Sequence, residues 1–191
     1  MSSMRTPTAA LGDHMLADAS ARFRELKSLA DRALAQADDA AFFARSDDEA
    51  NAIAHVVKHV AGNLRSRWRN FLVEDGEKPD RDRDAEFELT HADTREALTA
   101  AWEHGWAILF AELGALSGAD LMRTVTIRHE PHTVVQCIHR QLTHYGYHVG
   151  QIVILARTAR GPEWSSLSVP RRQSREFNAE MKGRFAPERK A

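Results

Sequence analysis

The sequence predicts an all-α fold, a four-helix bundle, and three observations predict it. Apolar residues recur at spacings of three and four in four long segments. Strand-period alternation is confined to one short stretch. Gly, Pro and charged clusters fall between the segments. The chain has 191 residues, which fits a single domain over 1–191 with its core at about residues 13–170 and a flexible tail at about 171–191.

The first helix is expected over about residues 13–37, where Leu16, Phe23, Leu26, Ala30, Ala33 and Ala37 share one face. Asp38 and Asp39 break it, and Phe42 and Phe43 should pin the connection to the core. Ser46, Asp47, Asp48 and Glu49 read as a capping box that opens the second helix. Its apolar stripe is Ile53, Val57, Val60, Leu64, Trp68 and Phe71, and Gly76 ends it. Residues 76–91, GEKPDRDRDAEFELTH, alternate in charge around Pro79. They read as a long solvated crossover, with a lid beside a site as the sharper alternative.

Asp93, Thr94, Arg95 and Glu96 cap a third helix that buries Leu98, Trp102, Trp106, Leu109 and Leu113. Residues 121–129 alternate at strand period and are expected to be extended. Pro131 suits the first turn of a fourth helix that runs to about Ala159, before Gly161 and Pro162. Val134, Ile138, Leu142, Tyr145, Val149, Ile152 and Leu155 form its apolar face. Beyond it, Trp164, Leu167 and Val169 should pack on the bundle, while the basic end MKGRFAPERKA should fray.

Composition narrows the class. Formal net charge is -1 and pI about 6.8, so no basic field argues for a nucleic-acid partner. No apolar run reaches the roughly 18 residues of a membrane span. The opening MSSMRTPTAALGDH lacks the apolar core of a signal peptide. Cys137 is the single cysteine, which excludes an intramolecular disulfide and a zinc site built on several cysteines. A cytoplasmic protein is expected. No GxGxxG, P-loop, HExxH or GxSxG pattern occurs.

Ten histidines are the unusual feature. Two pairs lie four apart, His55 with His59 and His144 with His148, so each pair shares a helix face. Random placement of so many histidines gives about 0.5 such pairs, so the spacing alone is weak. Placement adds to it. Counted from Asp47, His59 lies about 18 Å into its helix, and the midpoint of His144 and His148 about 22 Å into theirs from Pro131. Both fall near mid-height, where facing helices of a bundle build metal sites. Neutral imidazoles there suit zinc, nickel or iron(II) and leave a coordination position open for water or substrate. Histidines satisfied by hydrogen bonds in a core or groove are the competing reading.

The segments NAIAHVVKHVAGNLRSRW, DGEKPDRDRDAEFE, RTVTIR, HYGYHVGQIVILAR and WSSLSVPRRQSREFN, spread over about residues 50–178, together resemble an uncharacterised branch of the DinB/YfiT-like superfamily. The resemblance implies a four-helix bundle with a long crossover and a divalent metal on three histidines. Here these are His59 in VVKHVAGN and His144 and His148 in HYGYHVGQ. It also implies a homodimer, and an enzyme that uses the metal to activate water or a low-molecular-weight thiol, as a hydrolase or a thiol-dependent transferase on a small-molecule substrate. A metal-binding stress-response or structural dimer without catalysis is the alternative. Two positions depart from the pattern: His55, kept outside the triad as an additional group near it, and Arg172, where a glycine is expected after Pro170 and Arg171.

Asn63, four after His59, is placed to orient a ligand or metal-bound group, and Gln141, three before His144, to line the site. Cys137 reads as a small buried residue. Arg65, Arg67 and Arg69 read as a solvated face, with attraction of an anionic substrate as their other reading.

Overall fold

The structure, a computed structural model, describes residues 7–186. Part of the stretch read for a signal peptide (1–6) and the end of the basic tail (187–191) lie outside the described residues. The described chain is predominantly helical: α1 (Pro7–Leu34), α2 (Asp39–Phe43), α3 (Ile53–Trp68), α4 (Arg95–Ala115), α5 (Val134–Arg160) and α6 (Ser174–Arg184). One antiparallel hairpin, β1 (Thr124–Ile127) with β2 (Glu130–Thr133), precedes α5. The all-α expectation holds.

The four long helices close on one core. α3 packs against α4 and α5, and α1 against α5 and α4. Phe23, Trp68, Trp106 and Tyr145 are fully buried at the centre. Their ring centroids lie 5.5–5.9 Å apart for the Phe23–Trp68, Phe23–Tyr145 and Trp106–Tyr145 pairs, in tilted or edge-on contacts that aromatic quadrupoles favour. α3 is the most enclosed element, with 13 of its 16 residues buried. Any polar side chain on it must therefore find a partner inside the protein or in a cleft.

Several boundaries differ from the sequence reading. α1 starts at Pro7 and ends at Leu34; two turn hydrogen bonds then carry the chain to the buried Ala37. The Ser46–Glu49 motif does not open α3. Asp47 Oδ1 instead accepts from the Glu49 N–H at 3.0 Å in a local turn, and α3 begins only where the apolar stripe does, at Ile53. Phe42 is buried as expected, whereas Phe43 is exposed. Pro131 lies in β2, paired with Thr126, which a two-stranded sheet of edges tolerates. α5 starts three residues later, on a capping box in which Thr133 Oγ1 and Gln136 Oε1 each accept the other residue's backbone N–H. Trp164 and Leu167 pack on the core, as expected. Beyond them the chain is helical over Ser174–Arg184, without buried residues, and Met181–Arg184 of the stretch expected to fray belong to that helix.

The hairpin turn is Arg128 and His129, at φ 54° and 65°. Both occupy the left-handed region that a two-residue turn of this kind demands and that Asn-Gly ordinarily fills. Asp75, at the head of the crossover, holds it. Its carboxylate accepts from the N–H groups of Arg128 and His129, each at 2.8 Å, and from Glu77 N–H at 2.7 Å. Burial alone would raise the Asp75 pKa, but these donors outweigh it and hold the carboxyl well below its ordinary range. Crossover and hairpin are thereby tied into one wall.

Candidate metal centre

His59, Asn63 and Arg67 follow one another at four-residue spacing along α3, and Gln141, His144, His148 and Gln151 at spacings of three, four and three along α5. Each set therefore shares a helix face, and the two faces meet across a cleft of about 540 Å³. Mid-height placement survives the shifted helix starts. His59 is the seventh residue of the 16 in α3, and Gly146, between the other two histidines, is the thirteenth of the 27 in α5.

The three imidazoles converge through the same ring atom. His144 Nε2 lies 3.1 Å from His148 Nε2 and 3.4 Å from His59 Nε2. The potential ligand atoms all fall within 4.8 Å of one another. The opposite ring nitrogens of two of them are committed. His59 Nδ1–H donates to Glu86 Oε2 at 2.8 Å, and His148 Nδ1–H to Gln151 Oε1 at 2.7 Å. With the proton fixed on Nδ1, both Nε2 atoms present lone pairs to the same point. A neutral His144 carries at most one proton on Nε2, so the inward nitrogens outnumber the protons available to them. Nitrogens bound tetrahedrally at about 2.1 Å stand about 3.4 Å apart. The two separations come close to that value, so this donor set fits a metal ion. His144 Nδ1 is buried and has no hydrogen-bond partner among the described residues.

Burial keeps two of the donors, His144 and His148, neutral. Burial, followed by the neighbouring His148 and His59, pushes His144 down to about 3. Burial also holds His148 below the ordinary histidine value. Neutral imidazole is the ligand form. Burial alone would raise the Glu86 pKa, but hydrogen bonds from Arg81 and His59 outweigh it and keep the carboxylate ionised.

Glu86 comes from a 3-10 turn (Asp84–Phe87) of the crossover. Arg81 grips it through Nε–Oε1 at 2.7 Å and Nη2–Oε2 at 2.8 Å. Gly62 admits it, since a Cβ there would collide with the carboxylate. Phe87 stacks on His59, with centroids 4.8 Å apart and planes at 29°. The crossover is therefore a wall of the cleft, beyond the solvated loop that its charge pattern suggests. Sequence reasoning missed Glu86, Arg81 and Phe87, which have no spacing that separates them from their neighbours.

Asn63 and Gln141 both line the cleft. Asn63 Oδ1 accepts from Gln141 Nε2 at 2.8 Å and Tyr145 OH at 3.0 Å, and Tyr145 OH accepts from Trp68 Nε1 at 3.2 Å. This chain fixes the floor beside the histidines. His55 faces elsewhere: its Nδ1 accepts from Ala52 N–H at 3.0 Å and caps α3. Cys137 is buried and outside the cleft lining, and burial raises its thiol to about 11. Arg65 and Arg69 are exposed or nearly so and pair with Asp80, whereas Arg67 is buried and lines the cleft.

Fold and site together define a helical protein with a three-histidine cluster able to hold a metal ion. The chain belongs to DUF1572, a family of proteins of unknown function, whose model matches residues 10–173. No curated protein and no solved structure matches it. No helix among the described residues is long and apolar enough to cross a membrane.

Proposed function

We propose that this protein is a metal-dependent enzyme of the DinB-like type, with a divalent ion (zinc, nickel or iron) held by His59, His144 and His148. The observation that carries the reading is the convergence of three Nε2 atoms at one wall of a cleft large enough for a small molecule. A divalent ion supplies Lewis acidity, which makes water or a low-molecular-weight thiol nucleophilic near neutral pH. That suits a hydrolase or a thiol-dependent transferase. The chain's own residues do the rest. Glu86 and Gln151 fix two tautomers, and Phe87 shields one ligand ring from water. Asn63 and Gln141 are positioned to orient a bound molecule on the floor. The superfamily resemblance supports the same reading and extends it to a homodimer.

Elemental analysis of untagged protein, beside His59→Ala and His148→Ala, tests it. Near-stoichiometric metal in the parent and loss in both variants is expected. A folded parent that stays metal-free when offered zinc, nickel, manganese and iron would overturn it.

A further inference from the structure

The cleft has a second chemical character besides its histidines. Five arginines line it, Arg67, Arg81, Arg83, Arg128 and Arg140, and no carboxylate among the described residues does. The acidic partners behind them are too few. Glu77 is shared by three of them, at 3.0 Å from Arg81, 3.3 Å from Arg128 and 3.7 Å from Arg67. Glu86 divides itself between Arg81 and His59. Asp84 stands 3.8 Å from Arg83. Arg140 has no ion-pair partner among the described residues. Five guanidinium charges thus face three carboxylates, an excess of two positive charges before any metal is counted.

Arg67 is the least satisfied of the five. Only 4% of it is exposed. Its Nε and Nη1 are buried without a hydrogen-bond partner among the described residues, and Glu77 at 3.7 Å from Nη2 is beyond hydrogen-bond range. Buried guanidinium groups are ordinarily paired, because an unpaired buried charge loses its hydration without compensation. The protein nevertheless makes room for this one. A Cβ on Gly76 would stand 2.7 Å from Arg67 Nη1, so the absence of a side chain there lets the guanidinium lie against the backbone. Arg67 is eight residues after His59 on one face of α3, about 12 Å along the axis, and Arg140 is four before His144, about 6 Å along α5. Both helices therefore run from a metal-ligating character at one end of the cleft to a cationic one at the other.

We propose that Arg67, with Arg140 and Arg128 at its rim, forms an oxyanion subsite that takes a carboxylate- or phosphate-bearing small molecule and directs the rest of it toward the three histidines. Planar guanidinium forks match both oxyanions, and desolvation in the cleft strengthens the pairing. The subsite names a substrate class for the proposed enzyme and rests on that reading only for the reaction. Anion binding itself needs no metal.

Calorimetric titration of full-length protein with inorganic phosphate and with succinate tests it, in sodium chloride of fixed ionic strength. The parent is measured with metal and after chelation, beside Arg140→Gln, Arg128→Gln and Arg67→Met. Saturable binding of at least one anion is expected with and without metal, weakened at least tenfold in Arg140→Gln and in Arg67→Met. The two rim variants keep the test valid if Arg67→Met does not fold. Response to phosphate alone assigns a phosphate ester, and response to succinate alone a carboxylate. Absence of saturable binding overturns the subsite. So does binding that disappears on chelation yet survives the arginine changes, which would place the anion on the metal. Anion binding by a protein that takes up no metal would keep the subsite and sink the metal-enzyme reading.

Discussion

The helical side of the cleft and the crossover side hold their polar groups by different means. On α3 and α5 the side chains are placed by helix period, and their partners are mostly neutral: Asn63 with Gln141 and Tyr145, His148 with Gln151. On the crossover, placement depends on charge. Arg81, with 3% side-chain exposure, and Glu86, with 7%, hold each other in a buried pair, and Glu77 and Asp75 tie that pair to the hairpin. A helix keeps its geometry when one side chain is lost, whereas a wall built on a buried ion pair does not. The crossover is therefore where the site is most fragile, although the histidines all come from helices.

The sharpest break of this contrast is Glu86→Ala against Gln151→Ala. Removing Glu86 leaves Arg81 buried beside one remaining carboxylate and His59 without its acceptor. We expect about 3–5 kcal/mol of lost stability, because one partner of a buried pair is stranded. Zinc affinity should fall by about 10–100-fold as His59 loses its orientation. Gln151→Ala removes a neutral acceptor at the cleft edge and should cost less on both counts. Chemical denaturation and competitive zinc titration measure the two effects, and equal losses would abolish the distinction.

Asp75→Asn comes next. An amide accepts through one oxygen where the carboxylate accepts through two, so part of the anchor for the Arg128–His129 turn is lost, at a cost of about 1–3 kcal/mol at neutral pH. The pH dependence has a definite sign. Because the folded pKa of Asp75 is depressed, its contribution is complete above the unfolded value of about 4 and is lost as pH falls below it. Denaturation curves at pH 7 and pH 3 should therefore diverge for the parent more than for Asp75→Asn. Parallel curves would show that the hairpin does not depend on this carboxylate.

The smallest effect is expected outside both walls. Arg172 sits at φ 70°, where a side chain is disfavoured. Arg172→Gly should be neutral or stabilising by less than about 1 kcal/mol, since relief of strain is partly offset by a more flexible unfolded chain. A clear loss of stability by thermal melting would assign the Arg172 side chain a packing role.

The same contrast decides what could be read from the sequence. Helix period exposes the apolar faces of α3, α4 and α5, and with them the histidines, Asn63 and Gln141, because one repeat serves both packing and placement. Capping signals are less secure. Ser46 and Glu49 match a capping box, but the local turn at Asp47 uses the same residue types, and only the apolar stripe from Ile53 separates the two. Glu86 was not legible. Among Glu77, Asp82, Asp84 and Glu88 it differs by a partner nearly thirty residues away, His59, and by a space that Gly62 leaves on another element. Likewise Arg65, Arg67 and Arg69 look alike in sequence. Only the rotation of α3 puts the middle one inside and leaves the others to Asp80.

His59 and His144 stand 85 residues apart in the chain. An ion bound by both is consequently a cross-link, closing a loop that contains α4, the crossover and the hairpin. By mass action it would add about 2.7 kcal/mol of stability when free metal exceeds its dissociation constant a hundredfold. The stability of the fold would then follow the metal supply of its surroundings, and starvation for the ion would be registered as a lower melting temperature.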